Sequence, residues 1–478
     1  MAKIERPTNL PLISEQLAQF VAGVHCTDIP ADVRERARYL MLDAVGIAFA
    51  STKFEYARRA LDGYASLDKG NAIVVGMNER LTVRDSAAMN GVLIHGLDYD
   101  DTHLEGVMHV SSSCFPCAYG MAQQTAGSGS DLLLGYILGI EVAARLGKAS
   151  HGRFLEAGFH MSGTLSAFSS SLAAGRMMGL TAEQLVMAQG IALSTMPSCS
   201  RQYNQEGAWT KRLHPGGGAA AGITAAGLAR HGYVGPRATY EGVYGVYATH
   251  MAELSKTCDL TLATAGLGSV WETMRVAIKP MPACHLVHAC SDAAVVLARQ
   301  HNLQAHDIAS IRALVPPDAL FVVCEPVAKR RRPVNSYAAQ FSVQYAVACS
   351  LMRGRFGFRE LEEDMYTNPA ILALADKVEY ESDPHSGHPV HFSGEVIITL
   401  KDGRVLSHRE QINRGCADRP LPARDIIGKF MENTGLVIPK SRAEQIRDAI
   451  LSIDQTQDLK PLHALLHGAG KSSASDSG

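Results

Sequence analysis

Six side chains that could move protons or bind cations are crowded into the stretch from Leu93 to Ser113. They fall within fifteen residues of a chain whose charged fraction is only 19%, and they are His95, Asp98, Asp100, Asp101, His103 and His109. Buried unpaired carboxylates cost several kcal/mol each, so these groups must meet water, a metal, a cation or a substrate. A solvated loop with an Asx turn and a helix N-cap explains the stretch equally well.

A second polar stretch places three basic side chains, Lys211, Arg212 and His214, immediately before the glycine run 216–218. Backbone N–H groups at a helix N-terminus attract anions, and cationic side chains strengthen that attraction. The pattern therefore suits a substrate that carries carboxylates. It is not a nucleotide loop, because neither G-x-x-x-x-G-K-[ST] nor a strand followed by G-x-G-x-x-G occurs here. A tight helix entry with a surface lysine is the structural alternative.

Two groups of cysteines have to be weighed as metal sites. Cys114 and Cys117 form a C-x-x-C pair, and residues 284–290 contain two cysteines and two histidines. A zinc site of this kind needs a second pair at matching spacing, and the sequence has none, so we predict no metal. The 10 cysteines show no framework spacing, which is typical of a reducing compartment.

Helices must hold these polar stretches in place. Apolar residues recur at helical spacing over residues 30–50, and a second helix is predicted from Val83 to His95, with the acidic loop at its C-terminal end. From about Val270 onward, short β-branched runs appear between helices. The last of these runs is predicted to form a hairpin that turns at Asp402 and Gly403.

The fold class predicted from this pattern is mainly α, with two domains. Residues 1–275 and 414–467 are expected to form a large all-helical domain. A smaller α+β domain, at 276–413, is inserted into it, and a disordered polar tail follows at 468–478.

The overall charge and hydropathy narrow the class of protein. The formal net charge is -2, which makes nucleic acid and anionic membranes poor partners. The longest nearly unbroken apolar stretch, residues 132–140, is far shorter than the roughly 20 residues that a membrane span needs. We therefore expect a cytoplasmic protein.

Six stretches, in this order along the chain, resemble the MmgE/PrpD family, which includes 2-methylcitrate dehydratases, cis-aconitate decarboxylases and iminodisuccinate epimerases. They are DAVGIAFA (43–50), HGLDYDDTH (95–103), GFHMSGT (158–164), TKRLHPGGGAAAG (210–222), KPMPACHLVHACSDA (279–293) and AQFSVQYAVA (339–348). The resemblance implies a large helical domain, a smaller α+β lid, a cleft between them, a homodimer, and no metal or organic cofactor.

The resemblance also implies which side chains line the cleft. They are Asp98, Thr102, His109, His160, Lys211, His288 and Tyr345. Three further residues in the same stretches, His103, Arg212 and His214, are predicted to contact the substrate. A structural role is the alternative for each histidine and for Arg212, and a core ring with its hydroxyl bonded to the backbone is the alternative for Tyr345.

Family members share one chemical task, which is to make or quench a carbanion next to a carboxylate on a small di- or tricarboxylic acid. Histidine suits the proton transfer because its unperturbed pKa is about 6.5. We expect Lys211 to bind carboxylates with His109 or His160, Asp98 to orient an imidazole, and one of His109, His160 and His288 to move the proton. A cofactor-free lyase is therefore predicted. The alternatives are an epimerase of an iminodisuccinate-like acid and a non-catalytic metabolite-binding dimer.

Overall fold

The computed structural model describes residues 11–468 apart from residue 389. Helices take up 59% of the chain and strands 8%, which confirms the mainly α fold class. Two compact units are present. The first holds the described residues up to Gly96, those of Asp100–Val276 and those from Pro422 onward. The second holds Leu97–Tyr99 and Ala277–Leu421.

The second unit extends past residue 413, where the sequence pattern placed its end. The N–H of Ile278 donates to the carbonyl of Gly415 at 3.0 Å, and the N–H of Gly415 donates to the carbonyl of Arg419 at 2.8 Å. These bonds hold the segment after the last strand within the second unit. The predicted tail at 468–478 lies outside the described residues apart from Gly468, whose N–H donates to the carbonyl of Met77 at 2.8 Å. The assignment of the two units as core and lid stays a prediction.

Thirteen α-helices lie in the described part of the chain before Val276. They are α1 (Ile13–Gly23), α2 (Ala31–Ser51), α3 (Glu55–Leu67), α4 (Val83–His95), α5 (Ser111–Thr125), α6 (Gly129–Ala149), α7 (Arg153–Glu156), α8 (Met161–Thr164), α9 (Ser166–Met177), α10 (Ala182–Thr195), α11 (Tyr203–Glu206), α12 (His214–Arg230) and α13 (Val246–Met251). Four short strands also occur, β1 (Ala72–Ile73), β2 (Arg80–Leu81), β3 (Thr102–His103) and β4 (Val276–Ala277).

The glycine-rich helix α12 is the centre of the first unit, where it packs against α4, α9 and α10. A Cβ added at Gly216 would lie 2.2 Å from the carbonyl oxygen of Ala88 in α4, and one at Gly218 would lie 2.4 Å from the carbonyl oxygen of Gly163. The glycines are therefore needed for close contact between helix backbones. This favours the structural alternative for residues 216–218 over an anion-binding helix entry.

The chain returns to the first unit through α20 (Ala423–Gly435), α21 (Lys440–Leu451) and α22 (Lys460–Leu466), after the second unit has contributed α14 to α19. Helix α20 packs on α2, where a Cβ at Gly46 would lie 2.9 Å from the ring of Phe430. Beside this contact, Nζ of Lys429 lies 2.7 Å from Oδ1 of Asp43, and both side chains are buried. Segments from both sides of the second unit thus share one helical core.

The second unit is a four-stranded sheet covered by helices. Its helices are α14 (His288–His301), α15 (Val327–Arg331), α16 (Ser336–Gln340), α17 (Val343–Arg353), α18 (Glu363–Tyr366) and α19 (Pro369–Ala375), and its strands are β5 (Ile308–Val315), β6 (Val378–Ser382), β7 (Gly394–Leu400) and β8 (Val405–Glu410). The strand order is β6-β5-β7-β8, with β5 parallel to β6 and antiparallel to β7. The predicted hairpin is confirmed as β7 and β8, with Gly403 at φ 88° in its turn.

Alternate residues of β7 are buried, and this face packs against α14. Gly394 permits the contact, since a Cβ there would lie 2.8 Å from Sγ of Cys290. Among the described helices of both units, none is long and apolar enough to cross a membrane.

Candidate active site

A cluster of histidines lies in the first unit, and four separate stretches of chain bring its members together. His95 is the last residue of α4, and His109 lies two residues before α5. His160 is the N-cap residue of α8, and His214 begins α12. The ring centroids of His95 and His109 are 4.6 Å apart, and those of His95 and His160 are 5.4 Å apart. His95 lies at the centre of this cluster, although it is not among the residues that the resemblance places in the cleft.

Helix α4 places His95 in the interior of the first unit, because its sequence specifies where the helix begins and which residues are buried. The Thr82 side chain accepts a hydrogen bond from the N–H of Asp85, which caps the first turn. Every residue from Ser86 to His95 is buried, so the helix carries its last residue into the interior. The bounds of this helix are those predicted from the apolar periodicity.

One carboxylate, that of Asp100, holds two of the imidazoles. Its Oδ2 lies 2.8 Å from Nδ1 of His95, and its Oδ1 lies 3.3 Å from Nδ1 of His109. Asp100 and His95 are buried, and the side chain of His109 is 12% exposed. Burial alone would raise the pKa of Asp100, but the two imidazoles hold that pKa well below its usual range. Asp100 is thus a buried carboxylate that is hydrogen-bonded to the ring of His95 and lies at ion-pair distance from the ring of His109.

The other imidazoles are held in their neutral form at physiological pH. Burial lowers the pKa of His95 to about 3, even though Asp100 acts in the opposite direction. Burial and the nearby charge of Lys211 lower the pKa of His160 well below its usual value, and they lower that of His214 to about 4. Nδ1 of His160 lies 3.2 Å from Nδ1 of His214. The cluster therefore combines neutral imidazoles, a carboxylate and an ammonium group in a buried space.

Lys211 and Arg212 are adjacent and both are 6% exposed, but the structure gives them different surroundings. Lys211 lies close enough to His95, His160 and His214 for its charge to lower their pKa values. Nε of Arg212 donates to the carbonyl of Gly96 at 2.7 Å, and its guanidinium lies 4.4 Å from the ring centroid of Tyr56. Arg212 thus supports the loop after α4, and its predicted contact with the substrate stays a prediction.

Asp101 and Thr102 continue the acidic stretch. Oδ1 of Asp101 accepts a hydrogen bond from the N–H of Ser111 at 3.0 Å, and its Oδ2 accepts one from the Ser111 hydroxyl. Burial raises the pKa of Asp101 to about 7. This carboxyl therefore bonds at the start of α5, but the residue is 1% exposed, so the loop here is not the solvated one of the structural alternative. Oγ1 of Thr102 is buried without a hydrogen-bond partner among the described residues.

His103 does not lie in the histidine cluster. Its Nδ1 accepts a hydrogen bond from the N–H of Gly106 at 3.0 Å, and its Nε2 lies 2.9 Å from Oε2 of Glu272. The ring is fully buried, and both of its nitrogens are occupied within the first unit. This geometry favours the structural alternative over a substrate contact.

A second group of polar residues lies in the second unit. Asp98 has a positive φ of 48° and is 3% exposed. Nζ of Lys279, itself 1% exposed, donates to the carbonyl of Asp98 at 2.7 Å and lies 3.6 Å from its Oδ1. Sequence reasoning missed Lys279, although it begins the matching stretch at 279–293. A lysine next to a proline at the start of a family motif was the available signal.

His288 belongs to the same group. Its Nε2 donates to the carbonyl of Ala283 at 3.1 Å, which leaves Nδ1 as the atom with the lone pair. That Nδ1 is buried without a hydrogen-bond partner among the described residues. Burial and the charge of Lys279 lower the pKa of His288 well below its usual value, whereas Asp98 acts to raise it. His288 is thus a neutral imidazole beside a buried ion pair, and the imidazole-orienting role predicted for Asp98 stays a prediction.

Tyr345 is fully buried in α17, where its hydroxyl donates to the carbonyl of Glu360 at 2.6 Å. Its backbone N–H donates to Oγ of Ser342, which caps the helix. These contacts match the structural alternative stated for Tyr345. A role in substrate binding would require the hydrogen bond from this hydroxyl to the carbonyl of Glu360 to break.

Metal binding can be considered for the three imidazoles of the first unit. One ligand nitrogen each of His95, His109 and His160 lies within 4.8 Å of the others. Imidazoles are good ligands, but the charge of Lys211 next to His95 and His160 opposes a second cation. The C-x-x-C pair lies inside α5, where burial raises the pKa of Cys117 to about 12 and that of Cys114 still further. Both are therefore neutral thiols, and the absence of a metal stays a prediction.

Comparison with known proteins gives matches over almost the whole chain. Residues 15–257 match the MmgE/PrpD N-terminal domain, and residues 281–455 match the MmgE/PrpD C-terminal domain. A cis-aconitate decarboxylase of Aspergillus terreus is 28% identical, covering 96% of this chain and 97% of the relative. The human cis-aconitate decarboxylase is 28% identical, covering 96% and 95%. A mitochondrial 2-methylcitrate dehydratase of Yarrowia lipolytica is 28% identical over 37% of this chain and 36% of the relative.

Proposed function

Since the chain belongs to the MmgE/PrpD family, we propose that it is a lyase that acts on a small di- or tricarboxylic acid by histidine acid–base chemistry. The observation that carries this proposal is the histidine cluster of the first unit, in which Asp100 holds two imidazoles and Lys211 supplies a buried positive charge. Binding alone would need the cation. It would not need several neutral imidazoles arranged around a carboxylate.

Decarboxylation is the first candidate reaction, because the relatives that align with this chain over 96% of its length are named cis-aconitate decarboxylases. In such a reaction the bond to one carboxylate breaks and carbon dioxide leaves. The electron pair is delocalised towards a second carboxylate, and an imidazolium then delivers a proton to carbon. Dehydration is the second candidate, since the 2-methylcitrate dehydratase matches 37% of the chain. There a base takes a proton from carbon, and an acid protonates the departing hydroxyl.

Different residues of the first unit can bind the substrate carboxylate and transfer the proton. Lys211 would bind a substrate carboxylate, because a buried ammonium group gains most from a negative partner. His109 or His160 would transfer the proton, since both are imidazoles of the histidine cluster and their ring centroids are 6.2 Å apart. A bound carboxylate would also offset the charge of Lys211 and make protonation of His160 easier. Substrate binding would therefore bring the cluster closer to the protonation state that the chemistry needs.

The group in the second unit would contribute a further cation and a further base. Lys279 is buried against Asp98, and Nδ1 of His288 keeps its lone pair. We propose that His288 exchanges a proton during turnover and that Lys279 helps to bind a carboxylate. We further propose that the protein is a cytoplasmic homodimer and that it needs neither a metal nor an organic cofactor.

Two alternative functions can be distinguished from a lyase by the substrate panel described below. An epimerase of an iminodisuccinate-like acid would remove and return a proton on opposite faces of one carbon, with two of the imidazoles as acid and base. A non-catalytic metabolite-binding dimer would keep Lys211 and bind the acid without changing it.

A substrate panel separates these functions. The purified protein is incubated with cis-aconitate, trans-aconitate, 2-methylcitrate and iminodisuccinate, and three signals are followed. Carbon dioxide release with consumption of cis-aconitate indicates a decarboxylase, and a rise in alkene absorbance from 2-methylcitrate indicates a dehydratase. Deuterium uptake from solvent without either signal indicates an epimerase. Tight binding with none of the three signals would refute the enzyme and support the binding protein.

A further inference from the structure

We propose that His214 is a positioning residue that passes protons between solvent and His160. The Nδ1 atoms of the two rings share one hydrogen, which leaves Nε2 of His160 to exchange a proton with the substrate. The inference rests on the proposed function and deepens it, because it assigns the route by which a proton reaches that site. From the sequence, His214 was predicted only to contact the substrate.

The contact between the two rings is a hydrogen bond between their Nδ1 atoms. These atoms are 3.2 Å apart, and the ring centroids are 5.3 Å apart. A neutral imidazole has one N–H and one lone pair, so a hydrogen bond between two neutral rings contains one hydrogen. Burial and the charge of Lys211 keep both rings neutral in the resting protein, because they lower the pKa values of His160 and His214. One ring is therefore the donor and the other the acceptor.

Close packing between α8 and α12 holds the two rings together. His160 is the N-cap residue of α8, and His214 is the first residue of α12. A Cβ added at Gly163 would lie 2.7 Å from Cβ of His214 and 2.9 Å from its carbonyl oxygen, so this glycine permits the approach. The ring centroid of Tyr203 lies 5.9 Å from that of His160 and 5.6 Å from that of His214. The two helices and this tyrosine thus fix the rings relative to each other.

The two rings differ in their access to solvent. His160 is 4% exposed and its ring stacks on that of His95 with centroids 5.4 Å apart, whereas His214 is half-buried. Because the hydrogen bond uses Nδ1 of each ring, Nε2 is the second proton-exchanging atom of each. His214 is therefore the member of the pair that can exchange a proton with water, and His160 is the member that lies among the other histidines.

A proton can pass along the pair from solvent to substrate. At the start, Nε2 of His160 carries a hydrogen, and Nδ1 of His214 donates to Nδ1 of His160. Nε2 of His214 takes a proton from solvent, the shared hydrogen moves to Nδ1 of His160, and Nε2 of His160 gives its proton to the substrate carbanion. The electron pair of the carbanion forms the new C–H bond. Both rings end neutral with each hydrogen on the opposite nitrogen, and one proton has moved from solvent to carbon.

The same route works in the opposite direction. In a dehydration, Nε2 of His160 takes the proton from carbon, the shared hydrogen moves to His214, and Nε2 of His214 releases its proton to solvent. After product release, a proton exchanged with water along the reverse route restores the starting arrangement. The pair therefore serves both candidate reactions of the proposed function.

The surrounding charges favour a relay over a stored proton. Lys211 acts on both rings, and His95 and His109 act on His160 as well. The positive charge of Lys211 opposes a lasting charge on either imidazole. In the relay an imidazole is charged only while the proton passes, and the resting rings are neutral before and after each turnover.

The variant His214→Asn separates the relay from the hydrogen bond. Its amide can donate to Nδ1 of His160 or accept from it, but it has no second nitrogen that takes up a proton from solvent. We expect kcat to fall by at least about 100-fold, the range of a lost acid–base group, with KM within about threefold of wild type. A folded His214→Asn enzyme with the kcat of wild type would show that only the hydrogen bond matters, and it would overturn the relay.

Chemical rescue gives a second readout that a structural role would not produce. His214→Ala should lose as much kcat as His214→Asn, and imidazole added to the solution should restore part of it. 1-Methylimidazole should not, because it has a single nitrogen that can bind or release a proton and cannot pass one through the ring. Equal rescue by the two compounds, or rescue by neither, would overturn the relay.

His250→Asn is the matched control. His250 is also a half-buried histidine on a helix of the first unit, and its ring centroid lies 5.1 Å from that of Phe159, the residue before His160. Its Nδ1 lies 3.1 Å from the carbonyl oxygen of Val246, so it has a local partner within α13. We expect kcat within about threefold of wild type. A loss as large as that in His214→Asn would show that kcat responds to packing around these residues, and it would overturn the relay.

A direct measurement of the shared hydrogen needs no substrate. In protein labelled with [¹⁵N]histidine, a hydrogen bond between two ring nitrogens produces a scalar coupling between them, and its loss in His214→Asn assigns the pair. We expect this coupling, with one hydrogen shared by the two Nδ1 atoms. Absence of the coupling, or a hydrogen on both Nδ1 atoms or on neither, would overturn the inference and leave the proposed function intact. If the coupling is present and no acid of the panel reacts, the proposed function is refuted and the shared hydrogen stands.

Discussion

Replacing Lys211 by methionine separates substrate binding from chemistry. The ammonium group is 6% exposed and its charge lowers the pKa values of His95 and His160. A charged hydrogen bond contributes about 1.5 to 3 kcal/mol, so its loss should weaken binding of a carboxylate roughly 10- to 150-fold. Methionine keeps the length and apolar stem of lysine, so the interior should still be filled.

The best assay uses an acid that cannot react. Tricarballylate, a saturated tricarboxylic acid, has neither the double bond nor the hydroxyl of the panel substrates, so calorimetric titration reports its affinity alone. For turnover, KM should rise by a similar factor once substrate release is shown to be faster than chemistry. The pH limb that depends on His160 should move upward, because removing a nearby cation makes protonation of the imidazole easier.

Arg212→Met supplies the comparison, since this neighbouring cation is equally buried but bonds to Gly96 and lies over Tyr56. Its loss should cost roughly 1 to 3 kcal/mol of stability, with little effect on affinity for tricarballylate. If Lys211→Met bound tricarballylate within twofold of wild type, or if Arg212→Met weakened binding as much, the carboxylate-binding role of Lys211 would be refuted.

Three further predictions follow from the same geometry. His160→Ala and His288→Ala should each lower kcat by about 10²–10⁴-fold with smaller changes in KM, measured by steady-state kinetics, and a folded variant with full turnover would exclude that histidine. Activity should survive exhaustive chelation, and stoichiometric metal lost together with activity would contradict the predicted metal independence. Lys429→Met should lower the free energy of unfolding, measured by urea denaturation, by roughly 3 to 5 kcal/mol, because it leaves Asp43 buried without this ion pair. The double variant Asp43→Asn with Lys429→Met should recover part of that loss.

Local patterns in the sequence were enough to predict the elements that carry the site. The helix Val83–His95 has the predicted bounds, because its cap at Thr82 and its apolar spacing are properties of neighbouring residues. The hairpin that turns at Gly403 was predicted for the same reason. Family membership was also readable from sequence, since six motifs in a fixed order carry more information than any single one.

Which side chains meet was decided by the tertiary structure. His95 and His160 are 65 positions apart in the chain, and Lys211 lies a further 51 positions on, so their contact depends on how α4, α8 and α12 pack. That packing in turn needs the backbone contact at Gly216, which sequence reasoning had interpreted as a possible anion site. Spacing along the chain carries no information about such distances.

The acidic loop shows the physical reason most directly. Sequence reasoning expected Asp98 to orient an imidazole, and it did not place His95 among the residues of the cleft. In the structure the chain adopts a positive φ of 48° at Asp98, and that residue pairs with Lys279. Asp100 bonds to His95 and lies 3.3 Å from Nδ1 of His109. A left-handed residue changes the local course of the chain, so spacing along the sequence does not determine where the next side chains lie. Composition determined that this loop would carry proton-transfer groups, but only the folded backbone determined that the carboxylate of Asp100 bonds to His95.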